Sequence, residues 1–101
     1  LYNILMIVSF GDNTTADLFH GRQTSRVRRI PQDIQRRALN KLDVLNAANQ
    51  LVDLRSPPGN RLELLQGDWQ GFHSIRVNNQ WRIVFRWLNG EAHDVELVDY
   101  H

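Results

Sequence analysis

The sequence predicts an α+β domain: a small, mainly antiparallel sheet with two helices packed on one face and its other face open. Ile30, Ile34, Ala38, Leu42 and Leu45 are spaced by four, four, four and three, which draws one apolar stripe along a helix. Trp81, Ile83, Phe85 and Trp87 alternate with Arg82, Val84 and Arg86, the pattern of a strand with one apolar face. Turn residues at Asn78-Asn79 and Asn89-Gly90 divide the stretch from Phe72 to His101 into three consecutive strands.

The chain has 101 residues, so one domain over 1–101 is expected, with room for one core and one shallow site. Leu1 to Leu5 show no clear period and read as an upstream extension. A hydrophobic content of 42% with 23% charged residues excludes wholesale disorder. With no Cys, disulfides and thiol chemistry are excluded. The longest apolar run, Ile4 to Val8, is far short of the ~20 residues that cross a bilayer, so no membrane role is expected and the protein is read as cytoplasmic.

Met6 to Phe10 is apolar and partly β-branched, a short strand stopped by Gly11-Asp12-Asn13. Thr14 with Asp17 fits a capping box for a first helix that ends near Gly21. Arg22 to Arg29 is polar and reads as loop. Pro31 suits the first residue of the second helix, where its missing N–H has no partner to lose. Asp33 and Arg37, four apart and acid first, can pair on its exposed flank. Ala48 to Val52 continues or ends that helix, and Ser56-Pro57-Pro58-Gly59-Asn60 breaks regular structure as a stiff crossover. Arg61 to Leu65 reads as a strand, Gln66-Gly67-Asp68 as a turn and Phe72 to Val77 as the next strand.

Register follows from keeping both faces consistent. A three-residue loop at Asn78-Asn79-Gln80 pairs Val77 with Trp81 and Ile75 with Ile83, whereas a two-residue loop scrambles both faces. This sets Arg76 opposite Arg82 on the outer face, unfavourable unless an anion lies over the pair. A similar loop at Asn89-Gly90-Glu91 sets Phe85 against Val95 and Ile83 against Leu97, with Tyr100 outward beside Arg82.

Two arginines, Tyr100 and His101 therefore converge on the open face, with Asp99 and Glu63 as neighbours. Arginine holds a phosphodiester with a planar fork of donors, and an aromatic ring stacks on an unpaired base. Metal-free RNA cleavage needs the 2′-OH deprotonated, the phosphorane charge stabilised and the leaving oxygen protonated. His101 suits proton transfer and Arg82 suits the charge. Taken singly, the same residues also fit a frayed end and surface decoration. No spacing among the four histidines resembles a metal site, so no metal or other cofactor is expected, and His20, His73 and His93 are read as structural or solvent groups. Trp69 is the tryptophan best placed to stack on a base, while Trp81 and Trp87 read as packing.

Charge is segregated. Arg22, Arg26, Arg28, Arg29, Arg36, Arg37 and Lys41 face a single acid, Asp33, a local balance of +6 that leaves −5 for the rest of a chain whose total is +1. Such a basic side suits phosphate, and it equally fits a solvated helix face.

Leu54 to Asn60 (Leu-Arg-Ser-Pro-Pro-Gly-Asn), Arg61-Leu62 through Gln66-Gly67, His73-Ser74-Ile75-Arg76-Val77-Asn78, Gln80-Trp81-Arg82-Ile83 and the closing Asp99-Tyr100-His101 together resemble a HigB-type toxin of the RelE/ParE superfamily. The resemblance covers the chain from Met6 onward. It implies a RelE-like fold and a type II toxin that cleaves mRNA in the ribosomal decoding site without a cofactor. It also implies silencing by a HigA-like helix-turn-helix antitoxin, whose complex with the toxin binds operator DNA. Arg82, Asp99, Tyr100 and His101 inherit the RNA site. Arg76 and the basic segment Arg22 to Lys41 would then contact RNA.

Some members carry a His and a Lys where this chain has Glu63 and Gln66. That departure removes a cation from the site, and a weaker or more selective nuclease is expected. Alternative readings within the superfamily are a ParE-like gyrase poison without nuclease activity and a degenerate toxin acting only in the antitoxin–operator complex.

Overall fold

The computed structural model describes residues 6–100; the expected extension at Leu1 to Leu5 and the terminal His101 lie outside the described residues. Helix α1 spans Asn13–Phe19, α2 Ser25–Arg28 and α3 Gln32–Ala47, followed by 3-10 turns at Leu51–Arg55 and Pro58–Asn60. Strands β1 (Glu63–Leu64), β2 (His73–Arg76), β3 (Trp81–Leu88) and β4 (Glu91–Asp99) form one antiparallel sheet in the order β1-β2-β3-β4.

The helix stripe packs as its spacing requires. Ile30, Ile34, Ala38, Leu42 and Leu45 are all buried and join Ile75, Ile83, Phe85, Val95 and Leu97 of the sheet in one core. Burying a large apolar side chain contributes about 1.5–3 kcal/mol. Pro31 is the N-cap of α3, one position earlier than its expected first-turn place, and its carbonyl accepts from Gln35 N at 2.9 Å. The helix ends at Ala47.

The caps of the shorter helices differ from expectation. Asp12, not Thr14, caps α1: its Oδ1 accepts from Thr15 N at 2.9 Å, and Thr15 turns inward instead. There its buried Oγ1 accepts from Leu97 N at 2.9 Å, tying α1 to β4. The stretch Arg22 to Arg29, expected as loop, contains α2. Thr24 Oγ1 caps it by accepting from Val27 N, and Val27 is fully buried among the arginines. Gln35 Nε2 on α3 donates to the Val27 and Ile30 carbonyls at 2.9 and 2.7 Å, tying the short helix to α3.

Met6 to Phe10 runs parallel to β4 through two isolated bridges, Ile7 with Ala92 and Phe10 with Val95, in place of a continuous strand. Between them Ser9 Oγ accepts from Asp94 N at 2.8 Å, a side-chain bond where a ladder bond would fall.

The β2–β3 register is as expected: Ile75 faces Ile83, Arg76 faces Arg82, and Val77 N donates to Trp81 O at 2.9 Å. In the last hairpin Ile83 faces Leu97, but Leu88 pairs with Glu91, so the loop is the two residues Asn89-Gly90. Both have positive φ, 53° and 78°, the conformation a tight hairpin turn demands. The one-residue difference is absorbed between Val84 and Arg86, where Phe85 meets a β-bulge with Asp94 at φ 52°.

The sheet's outer face is covered in part, against the expectation of an open one. Ser74 and Val84 are fully buried, and Leu65 nearly so, outside the helix-side core. Gln66–Trp69 shares a cleft with Val98–Tyr100, and β2 and β3 lie between their strands, so the segment reaches across the outer face toward the end of β4.

Candidate functional site

Arg82 lies on the outer face of β3 with only 11% of its side chain exposed. Its Nε donates to Ser74 Oγ at 2.7 Å, its Nη2 donates to the Arg61 carbonyl at 2.7 Å, and Nη2 lies 3.0 Å from Glu63 Oε1. Nη1 has no partner among the described residues. The guanidinium is thereby held in one orientation with two N–H donors unused. It also lies 5.8 Å from the centroid of the Tyr100 ring, within cation–π range.

Each support traces to a local cause. Ser74 alternates outward from the apolar Ile75 and faces Val84 across the ladder. Arg61 presents its carbonyl because it closes the Pro58–Asn60 turn in the left-handed conformation, φ 45°. Buried Asn60 fixes that turn: its Nδ2 donates to the Leu54 and Ser56 carbonyls, both at 3.2 Å, and its Oδ1 accepts from Lys41 Nζ. Ser56–Pro57 is a cis peptide.

The cleft beside this cluster encloses about 450 Å³ and is lined by Gln66, Asp68, Trp69, Val98, Asp99 and Tyr100. Its end is positioned by Gln80, whose carbonyl accepts from Tyr100 N at 2.7 Å and whose Nε2 donates to Asp99 Oδ2 at 3.0 Å. Trp69 packs edge-on against Phe72, with centroids 5.1 Å apart, and the Arg86 guanidinium sits 4.7 Å from the Phe72 ring. The surface thus alternates aromatic faces with cations.

Of the residues singled out in the sequence, Arg82, Glu63 and Tyr100 come together, and Asp99, Gln66 and Trp69 line the adjoining cleft. His101 lies outside the described residues. Arg76 faces Arg82 across the ladder, yet its side chain lines a separate pocket with Arg37 and Lys41. The remaining basic residues disperse: Arg22 pairs with Asp17 at 3.3 Å, Arg36 lines a groove between α1 and α3, and Arg26, Arg28 and Arg29 are exposed around α2. Asp33 and Arg37 form no ion pair among the described residues; Arg37 turns to the pocket.

Ser74, Gln80 and the Arg61 carbonyl are site groups that sequence reasoning did not single out. Ser74 and Gln80 carry a signal in their flanks, a hydroxyl among strand apolars and an amide just before Trp-Arg. The carbonyl depends on a turn conformation that composition does not announce. His73 stacks on Phe85 on the inner face, 6.1 Å between centroids, and burial lowers its pKa from 6.5. Among the described residues no group of His, Asp and Glu is arranged to hold a metal ion, and no helix is long and apolar enough to cross a membrane.

A family model described as the RelE-like toxin of type II toxin–antitoxin system HigB matches residues 6–101. The chain belongs to the HigB-like toxin family. As a toxin of a type II system, this HigB-like chain has an antitoxin for its partner. It is 49% identical over 87 residues to Toxin HigB-1 of Vibrio cholerae, covering 86% of this chain and 90% of that protein. It is 34% identical over 96 residues to Endoribonuclease HigB of Proteus vulgaris, covering 95% of this chain and all of that protein. Its fold resembles that of the YoeB–YefM complex from Staphylococcus aureus, with a TM-score of 0.58 at 13% identity over 97% of this chain and 98% of the matched one.

Proposed function

We propose that this HigB-like chain is a ribosome-dependent endoribonuclease that inhibits translation by cutting mRNA in the decoding site. The observation that carries the reading is the Arg82 guanidinium held by Ser74 and the Arg61 carbonyl, its two Nη1 donors unused among the described residues, beside the Tyr100 ring and a cleft large enough for a base. The likeness to a relative named Endoribonuclease HigB supports it.

In this reading Arg82 binds the scissile phosphate and stabilises the charge that builds on it as the ribose 2′-oxygen attacks. His101 transfers a proton, to the leaving 5′-oxygen or from the 2′-OH. Tyr100 orients or stacks, and Asp99 positions the chain end through Gln80. Glu63 offsets part of the charge on Arg82, so the site is tuned down until a phosphate arrives. The chain acts as one domain, a HigA-like helix-turn-helix antitoxin silences it, and the complex binds operator DNA through the antitoxin.

The test is an mRNA cleavage assay on programmed ribosomes, with 5′ ends mapped. The wild type is expected to produce ends within the decoding-site codon, and Arg82→Ala combined with deletion of His101 is expected to abolish them. Undiminished cleavage by that variant sinks the site assignment. Growth inhibition without new mRNA ends sinks the nuclease reading.

A further inference from the structure

We infer that a second RNA backbone phosphate binds at the hairpin end of the sheet, in a pocket of about 360 Å³ lined by Arg37, Lys41, Arg76, Asn78 and Asn79. The inference rests on the RNA-cleaving reading above and adds a subsite to it.

Three cations from two elements converge there. Arg37 and Lys41 are one helical turn apart on α3 and so share a face, while Arg76 ends β2 where the chain enters the hairpin. The pocket lining contains no acid, and neither does that of the adjoining depression formed by Arg37, Asn40, Lys41, Val44 and Val77. Among the described residues none of the three cations pairs with a carboxylate. Their polar partners are neutral amide oxygens, Asn79 Oδ1 for Arg76 and Asn60 Oδ1 for Lys41, which orient the charges without cancelling them. Holding three like charges together is unfavourable unless an anion joins them.

The amides complete the cradle. Asn78 Oδ1 accepts from Gln80 N at 2.8 Å and from Trp81 N at 2.7 Å, and Asn79 Oδ1 accepts from Arg76. Both side chains have committed their acceptor to protein donors, which leaves each Nδ2 as a donor. Gly59 on the rim has open space where a side chain would stand, so an approaching backbone is not excluded. A pocket whose charged groups are all cations and whose free amide groups are N–H donors, with only Val77 and Gly59 besides, recognises an oxyanion. Arg76 is the cross-strand neighbour of Arg82, so the pocket adjoins the Arg82 cluster and lies within reach of RNA bound there.

The phosphate belongs either to the mRNA strand being cut or to ribosomal RNA, and one experiment separates them. Binding is measured to ribosomes carrying an mRNA blocked by 2′-O-methylation in the decoding-site codon, across a range of salt, for the wild type, Arg37→Ala/Lys41→Ala and Arg37→Gln/Arg76→Gln. The last variant spares the Lys41–Asn60 hydrogen bond and controls for loss of fold. Both variants are expected to bind about tenfold more weakly, with the slope of log K against log salt shallower by about 0.7 for each phosphate no longer neutralised. Replacing single mRNA linkages beside the scissile one with neutral methylphosphonate assigns the source. If one replacement weakens the wild type but not the variants, the phosphate is on mRNA; if the wild type is indifferent to every replacement, it is on ribosomal RNA. Wild-type affinity and salt slope in both variants, with wild-type cleavage intact, overturn the inference alone. Absence of cleavage by the wild type removes the parent reading and the inference with it.

Discussion

Arg82 Nε donates to Ser74 Oγ at 2.7 Å, from one strand to the next and shielded from solvent on the serine side. A guanidinium on a flexible stem gains its binding geometry from such partners, because ordering it beforehand removes that entropy from the binding step. Ser74→Ala is therefore expected to slow mRNA cleavage by roughly tenfold, the scale of a hydrogen bond to a charged group at about 1.5 kcal/mol. Ser74→Thr, which restores the hydroxyl, is expected to recover most of the rate. Single-turnover cleavage on programmed ribosomes checks both; an unaltered rate in Ser74→Ala means that the serine does not position Arg82.

Glu63 lies 3.0 Å from Arg82 Nη2 with more than half of its side chain exposed. Glu63→Gln keeps the shape and removes the competing charge. An ion pair open to solvent on its carboxylate side is worth about 0.2–1 kcal/mol, so RNA binding is expected to tighten by about 1.4- to fivefold, more at low salt. Titration of the blocked programmed ribosome at two ionic strengths measures it, and weaker binding would show that Glu63 contributes to the site.

Asn60 is buried and supplies donors to the Leu54 and Ser56 carbonyls. Asn60→Ala strands both acceptors, a loss of roughly 1–3 kcal/mol, and a fall in Tm of several degrees is expected. It also frees the turn that presents the Arg61 carbonyl to Arg82, so cleavage should fall even at temperatures where the variant stays folded. Thermal melts paired with cleavage rates separate the two effects.

Burial, and secondarily the neighbouring charge of Asp12, raises the Glu96 pKa from 4.5. The folded state thus holds that proton more tightly than the unfolded chain does. Its stabilising contribution is complete below 4.5 and disappears as pH rises through the folded-state value, so at neutral pH the ionised group is a burden. Glu96→Gln is expected to raise Tm at neutral pH, with the gain vanishing in the acid range below 4.5. A Tm that rises equally at both pH values would trace the gain to something other than ionisation.

Periodicity made the architecture legible. The spacing of Ile30 to Leu45 located the long helix, and alternation over Trp81 to Trp87 chose the β2–β3 register that sets Arg76 and Arg82 side by side. Local competition decided the parts that sequence reasoning misread. Thr14 and Asp12 both suit a cap, and the buried hydrogen bond of Thr15 to Leu97 favours the frame set by Asp12. A lone Val27 among arginines carries no period, so α2 emerges only where α3 offers Gln35. Arg82 and Tyr100 were legible as neighbours because both follow from register. The carbonyl of Arg61 was not, since it rests on a left-handed residue held by a buried amide, a relation that neither spacing nor alternation encodes.

The bulge opposite Phe85 divides the last hairpin into two halves that count their residues differently. From Arg86 to His93 the strands count from the tight turn at Asn89-Gly90, and from Val84 inward they count one residue later. Asp94 thus works as a slip joint between the tip and the end that carries Arg82 and Tyr100. A chain lengthened by one residue at the turn and shortened by one at Asp94 would present Arg82 and Tyr100 on the same face, so tip length can vary without the working surface being reset.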